Sequence, residues 1–218
     1  MPFNEIYLGN LNNNFKMKHL LFAVLLMGIF ACKNDTSGNK LSSVDPSDAK
    51  GGATVDPKNL TVPSACSMIT AAEVQDIVNA KNAVVVKESN DPKNQQVKSC
   101  FFKWDDPSTP NAGILVQIMT NPVYDEFPQY VSMYVESKLK EGEMAMGQET
   151  PFKYKKFEAA GIDGAYSFEQ GRFYWAGDAN YMFMLAFNVS AFDEDDMVDA
   201  AEDIIESIHK NFKDKVKY

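Results

Sequence analysis

Between Tyr181 and Val189 the chain carries two alternating sets of side chains, and both are apolar. Tyr181, Phe183, Leu185, Phe187 and Val189 form one set; Met182, Met184 and Ala186, with Asn188, form the other. A strand with one solvated face alternates apolar with polar residues, so a strand apolar on both faces belongs in the interior of a sheet. Any fold for this chain has to be built outward from that central strand.

The flanking patterns supply its neighbours. Ala83–Lys87 is short and β-branched, Cys100–Trp104 is aromatic, and Gly113–Thr120 alternates with Ile114, Val116 and Ile118 on one face. Gly164–Gln170 and Arg172–Ala176 read as two further strands, separated by Gly171. Three stretches switch to helical spacing. Thr70-Ala-Ala-Glu73 is a capping box opening a helix with Val74, Ile77 and Val78 on one stripe. Residues 125–140 follow, with Pro128 in the first turn and a core stripe of Phe127, Val131, Tyr134 and Leu139. Asp193 caps the last helix, whose stripe is Met197, Ala201, Ile204, Ile205, Ile208 and Phe212; Phe192 and Met197 sit where a hydrophobic staple would. Glu141–Thr150 reads as a loop. The order α-β-β-β-α-β-β-β-α, with hairpins in place of regular βα alternation, implies an α+β fold: an antiparallel sheet of about six strands with three helices packed on it.

The N-terminus is of another kind. Lys16-Met-Lys-His19 is basic, and the twelve residues Leu20–Ala31 are apolar throughout. Twelve are too few to cross a hydrocarbon core, which takes about 20, and a basic segment before a short apolar run is an export signal. The run ends in Ile29-Phe-Ala-Cys32, which resembles the lipobox of bacterial lipoproteins, with Phe30 bulkier than that family prefers. The resemblance implies removal of residues 1–31 as a signal peptide and lipidation (palmitate among the acyl groups) of Cys32. A plain secretory peptide or short signal anchor is the alternative. Met17 restarts a compact leader of normal length, as a misassigned translation start for residues 1–16 would. Residues 32–63 are rich in Ser, Asp, Gly, Lys and Pro and read as a flexible tether. Lys33-Asn-Asp35 loosely resembles the charged surface-export signals of Bacteroidota lipoproteins, although an ordinary solvated tether is the simpler reading. Residues 64–218 form the one domain.

With Cys32 lipidated, Cys66 and Cys100 are left as an even pair in a chain addressed outside the cytoplasm, where disulfides persist. A bridge over about 33 residues would stabilise by nearly 4 kcal/mol in the chain-entropy account. With no nearby His and no C-x-x-C spacing, a metal site or a reactive thiol is the weaker reading. The net charge is −9, and about −10 once the leader is removed. Such a surface repels phosphate backbones and anionic headgroups, so no nucleic-acid partner is expected and membrane association falls to the lipid on Cys32.

Reaction chemistry is sparse. One histidine, His209, follows the leader; at the C-terminal end of the last helix it reads as a surface or cap residue, and a Ser-His-Asp triad or multi-histidine zinc site has too few partners. Neither catalytic nor metal-binding residues nor a cofactor are assigned. Glu194-Asp-Asp196 reads as a helix N-terminal turn before a calcium site, Met144-Ala-Met146 as loop or core packing before a copper site, and Phe173-Tyr-Trp175 as cross-strand packing before a ligand platform.

Cys66-Ser-Met-Ile-Thr-Ala-Ala-Glu-Val74, Cys100-Phe-Phe and Gly161-Ile-Asp-Gly-Ala-Tyr166 together resemble small bacterial lipoproteins of unknown function. These open on C-x-L-[LI]-T-x-x-E-V and carry a PsbP-like α/β sandwich. The resemblance covers about 150 residues on short motifs, and Asp163 and Gly164 are exchanged relative to the usual order. It implies fold and location but no reaction. The function to expect is a lipid-anchored, non-enzymatic binding module of the bacterial cell envelope, on its periplasmic face or at the cell surface. Its partner would be a protein, an envelope component or a small ligand. The alternative is a carboxylate-based enzyme or metal-handling lipoprotein using carboxylates such as Asp163, Asp178 and Asp193.

Overall fold

A computed structural model describes Asp56 and residues 60–89, 95–106 and 109–216 of the chain. The expected leader, Cys32 and the expected tether, apart from Asp56 and residues 60–63, lie outside the described residues. No helix among the described residues is long and apolar enough to cross a membrane.

The fold is α+β. Seven strands, β1 (Val85–Ser89), β2 (Val97–Asp106), β3 (Thr109–Thr120), β4 (Lys155–Ala159), β5 (Ile162–Ser167), β6 (Arg172–Ala176) and β7 (Tyr181–Asn188), form one antiparallel sheet ordered β1-β2-β3-β7-β6-β5-β4. The strand that is apolar on both faces, β7, is the fourth of the seven, as its pattern requires. The chain builds the first three strands as a meander and crosses over through α2 (Tyr130–Glu141) to the far edge. It then returns strand by strand until β7 pairs with β3, Val116 opposite Leu185.

One strand exceeds expectation. β4 pairs with β5 through a turn in which Ala160 (φ 52°) and Gly161 (φ 75°) are both left-handed. Two left-handed central residues match the twist of a two-residue hairpin. Ala160 holds the first of those positions where Asn or Asp is usual, so the turn carries a weak sequence signal.

Alternation along the strands divides the side chains between two cores. On one face Phe102, Val116, Ile118, Phe173, Trp175, Phe183 and Leu185 meet α1 (Ala71–Ile77) and α3 (Glu194–Lys215). On the other, Ala165, Tyr174 and Met184 meet Tyr134 and Val135 of α2. The α1 capping box is formed: the Glu73 backbone N–H donates to Thr70 Oγ1 (3.2 Å) and the Thr70 N–H donates to Glu73 Oε2 (2.8 Å). Asp193 caps α3 by accepting from the Asp196 N–H at 2.9 Å. The α3 stripe is buried as its spacing implies, with Ala200 added; each fully buried aliphatic side chain there contributes roughly 1.5–3 kcal/mol.

The α2 stripe departs from expectation. Val131 is buried and Tyr134 half-buried, but Phe127 and Leu139 are exposed, and Val135 and Lys138 are buried instead. Pro128 lies before the helix, not in its first turn, so the stripe is phased from Tyr130. Packing also begins earlier than residue 64. Val62 is buried, Leu60 packs beside it, and Tyr181 Oη donates to the Thr61 carbonyl at 3.0 Å. These two apolar residues end a polar stretch whose average composition hides them.

Cys66 and Cys100 form a disulfide with Cα atoms 4.9 Å apart. It joins the 3-10 turn Ala65–Ser67 to β2, where Cys100 is fully buried.

Candidate binding site

Antiparallel hairpins bring four distant segments together at the C-terminal end of α3. The β4–β5 turn supplies Gly161 and Asp163, the end of β6 supplies Trp175, the following turn supplies Gly177 and Asp178, and α3 supplies His209, Phe212 and Lys213. They enclose a cavity of about 360 Å³. Its floor is aromatic and buried: Trp175 stacks on Phe183 at 5.1 Å and Phe212 stands edge-on to Phe183 at 4.9 Å. Gly177 is required there, because a Cβ would come within 2.5 Å of the Phe183 ring. The rim is charged. Asp163 pairs with Lys156 at 2.8 Å across the outside of the sheet. Burial and the Lys213 ammonium hold the His209 imidazole below its ordinary value, against the opposing pull of Asp178.

A second concavity of about 440 Å³ lies between the end of α1 and the first half of α3. Trp104 and Phe192 line it, and Asp196, Asp199 and Asp203 project from α3 at intervals of three and four residues. This wall is one helix face. Among the described residues no group of three or more His, Cys, Asp or Glu side chains is placed to hold a metal ion.

On the opposite face of the sheet, Glu143 gathers three donors. Lys138 Nζ reaches Oε2 at 2.7 Å, Tyr154 Oη donates to the same oxygen at 2.7 Å, and Arg172 Nη1 reaches Oε1 at 2.9 Å. The Lys138 ammonium also sits 4.8, 5.6 and 5.2 Å from the ring centres of Tyr134, Tyr154 and Tyr174. Burial alone would push the Glu143 carboxyl up; the bonds from Lys138 and Tyr154 and the charges of Lys138 and Arg172 outweigh it and hold the carboxyl below the usual carboxylate range. Burial pushes the Tyr174 phenol up to about 12. Every charge in this knot is paired, so it reads as a clamp between α2 and the sheet.

The residues singled out in the sequence are dispersed. Asp163 and Asp178 line the cavity at the C-terminal end of α3, whereas Asp193 caps that helix's N-terminus. Glu194 accepts from Lys155 Nζ (2.6 Å) and Tyr166 Oη (2.9 Å), which ties the helix start to the sheet. Phe173, Tyr174 and Trp175 are buried in cross-strand packing. Met144 and Met146 stand on an exposed loop, not in the core. His209, expected at the surface or as a cap, is half-buried and lines the cavity. Sequence reasoning missed Lys213, Gly177 and the Glu143 knot. Of these, only the i, i+4 spacing of His209 and Lys213 on one helix face offered a signal.

Comparison with family models, with curated protein sequences and with solved structures finds no match for this chain.

Proposed function

We propose that this chain is a lipid-anchored module of the bacterial cell envelope that binds a ligand without transforming it, held at the membrane through Cys32. One observation carries the binding reading: the cavity at the C-terminal end of α3, where charged side chains from separate elements converge over a buried aromatic layer. Convergent polar groups in one concavity are a mark of a ligand site. The bridge between Cys66 and Cys100 supports an oxidising address, and the lipobox supports the anchor. Of the acids named for a carboxylate enzyme, Asp163 and Asp178 share one cavity, whereas Asp193 caps the far end of α3. The resemblance to small lipoproteins with a PsbP-like sandwich remains part of this proposal.

Two measurements test it. Cys32→Ser should release the protein from the membrane fraction, because no acyl anchor can then form; retention of the variant there would overturn the anchoring. Capture from cross-linked cells, with the tether alone as control, should recover molecules that the control does not. Identical recovered sets would overturn the binding reading.

A further inference from the structure

We propose that the cavity at the C-terminal end of α3 takes a small zwitterion: an α-amino acid, or a compound of that size and charge pattern. This inference rests on the reading of the chain as a binding module and names the ligand class for that site.

The rim carries opposite charges from separate elements. Lys213 comes from α3, one turn beyond His209, and Asp178 comes from the turn between β6 and β7. Both are exposed, and among the described residues no hydrogen bond or ion pair engages either side chain. Asp163, the other acid on the rim, is held by Lys156 at 2.8 Å. Besides the Asp163 carboxylate in its exposed pair with Lys156, the cavity therefore offers one carboxylate and one ammonium that nothing among the described residues engages, with His209 as a further donor or acceptor.

The charges discriminate among ligand types. A simple anion would pair with Lys213 but face Asp178, and a simple cation would pair with Asp178 but face Lys213. A neutral molecule would cover both charges and satisfy neither, which is costly. A zwitterion pairs with both and brings no net charge. Below the rim the floor is closed: Trp175, Phe183 and Phe212 are themselves buried, and a Cβ at Gly177 would press on the Phe183 ring. Size restricts it further. About 360 Å³ lies near the lower end of the roughly 300–1,000 Å³ of ligand pockets, which suits an amino acid or dipeptide better than a polymer or an acyl chain.

The test uses full-length protein and three probes on one phenyl-alkyl frame: L-phenylalanine with both charged groups, phenethylamine with the ammonium alone and 3-phenylpropionate with the carboxylate alone. Titration calorimetry, with intrinsic tryptophan fluorescence (Trp104 and Trp175) as a second readout, should find phenylalanine bound about tenfold tighter than either singly charged probe. Lys213→Gln should erase its advantage over phenethylamine, and Asp178→Asn its advantage over phenylpropionate. Both residues are exposed, so unchanged melting curves will show that the fold is kept. Equal affinity for all three probes, or preferences that survive both variants, would overturn the zwitterion class while leaving ligand binding in place. No saturable binding of any probe would also overturn it, and the cross-linked capture would still decide the binding reading separately.

Discussion

Glu143→Ala should destabilise the domain by about 3–5 kcal/mol, the range for removing one partner of a buried ion pair. The side chain of Lys138 is only 9% exposed, and Glu143 is its sole carboxylate partner among the described residues. Without Glu143 the ammonium keeps three tyrosine rings but no anion, and Tyr154 Oη loses its acceptor. Arg172, more than a third exposed, can turn to water, so its share is small. Replacing both charges at once, Lys138→Met with Glu143→Gln, should recover most of the loss, because nothing charged is then left buried. Denaturant melts of the three proteins decide it; equal stability of Glu143→Ala and wild type would refute the clamp. The carboxyl is held below its ordinary range, so its contribution is present above the unfolded-state value and lost as pH falls through the folded one. The melting temperature of the wild type should therefore fall as the pH is lowered into and below the ordinary carboxylate range, and less steeply in Glu143→Gln.

The second large effect is on the bridge. Cys66 and Cys100 are 34 residues apart, and a loop of that length corresponds to about 4 kcal/mol in the chain-entropy account. That is a large share of the 5–15 kcal/mol typical of a domain. Cys66→Ala with Cys100→Ala, or reduction, should lower the melting temperature by about 10 °C without changing the fold. The fold survives because the 3-10 turn around Cys66 is also held by Ala65 and Met68, both buried, and by Asn211 Nδ2, which donates to the Met68 carbonyl at 2.7 Å. Scanning calorimetry with and without reductant reads the shift, and coincident transitions would contradict it.

Features governed by neighbours in sequence were legible before the structure. The capping box at Thr70 and Glu73, the Asp193 cap, the α3 stripe and the central place of β7 depend on local spacing, and all are found. Features governed by partners elsewhere were not. Edge strand β4 buries Phe157 and Ala159 but exposes Lys155, Lys156 and Glu158, so its composition resembles a loop. Lys138 sits on the buried stripe of α2 because Glu143, beyond the helix end, and three tyrosines, Tyr134 of α2 with Tyr154 and Tyr174 from elsewhere in the chain, receive its charge. Periodicity scores a lysine as solvent-facing and cannot anticipate that. The cavity is the extreme case: Gly161, Trp175, Asp178 and Lys213 meet through sheet register and helix docking, which no short motif encodes.

The intact mass of the native protein, extracted from the membrane fraction without reductant, tests the central claim most directly. A chain beginning at Cys32, heavier by a diacyl or triacyl modification and lacking the two thiol hydrogens of Cys66 and Cys100, is the result expected of a lipid-anchored, oxidised envelope protein. A chain that begins at any other residue and carries no acyl mass would contradict it.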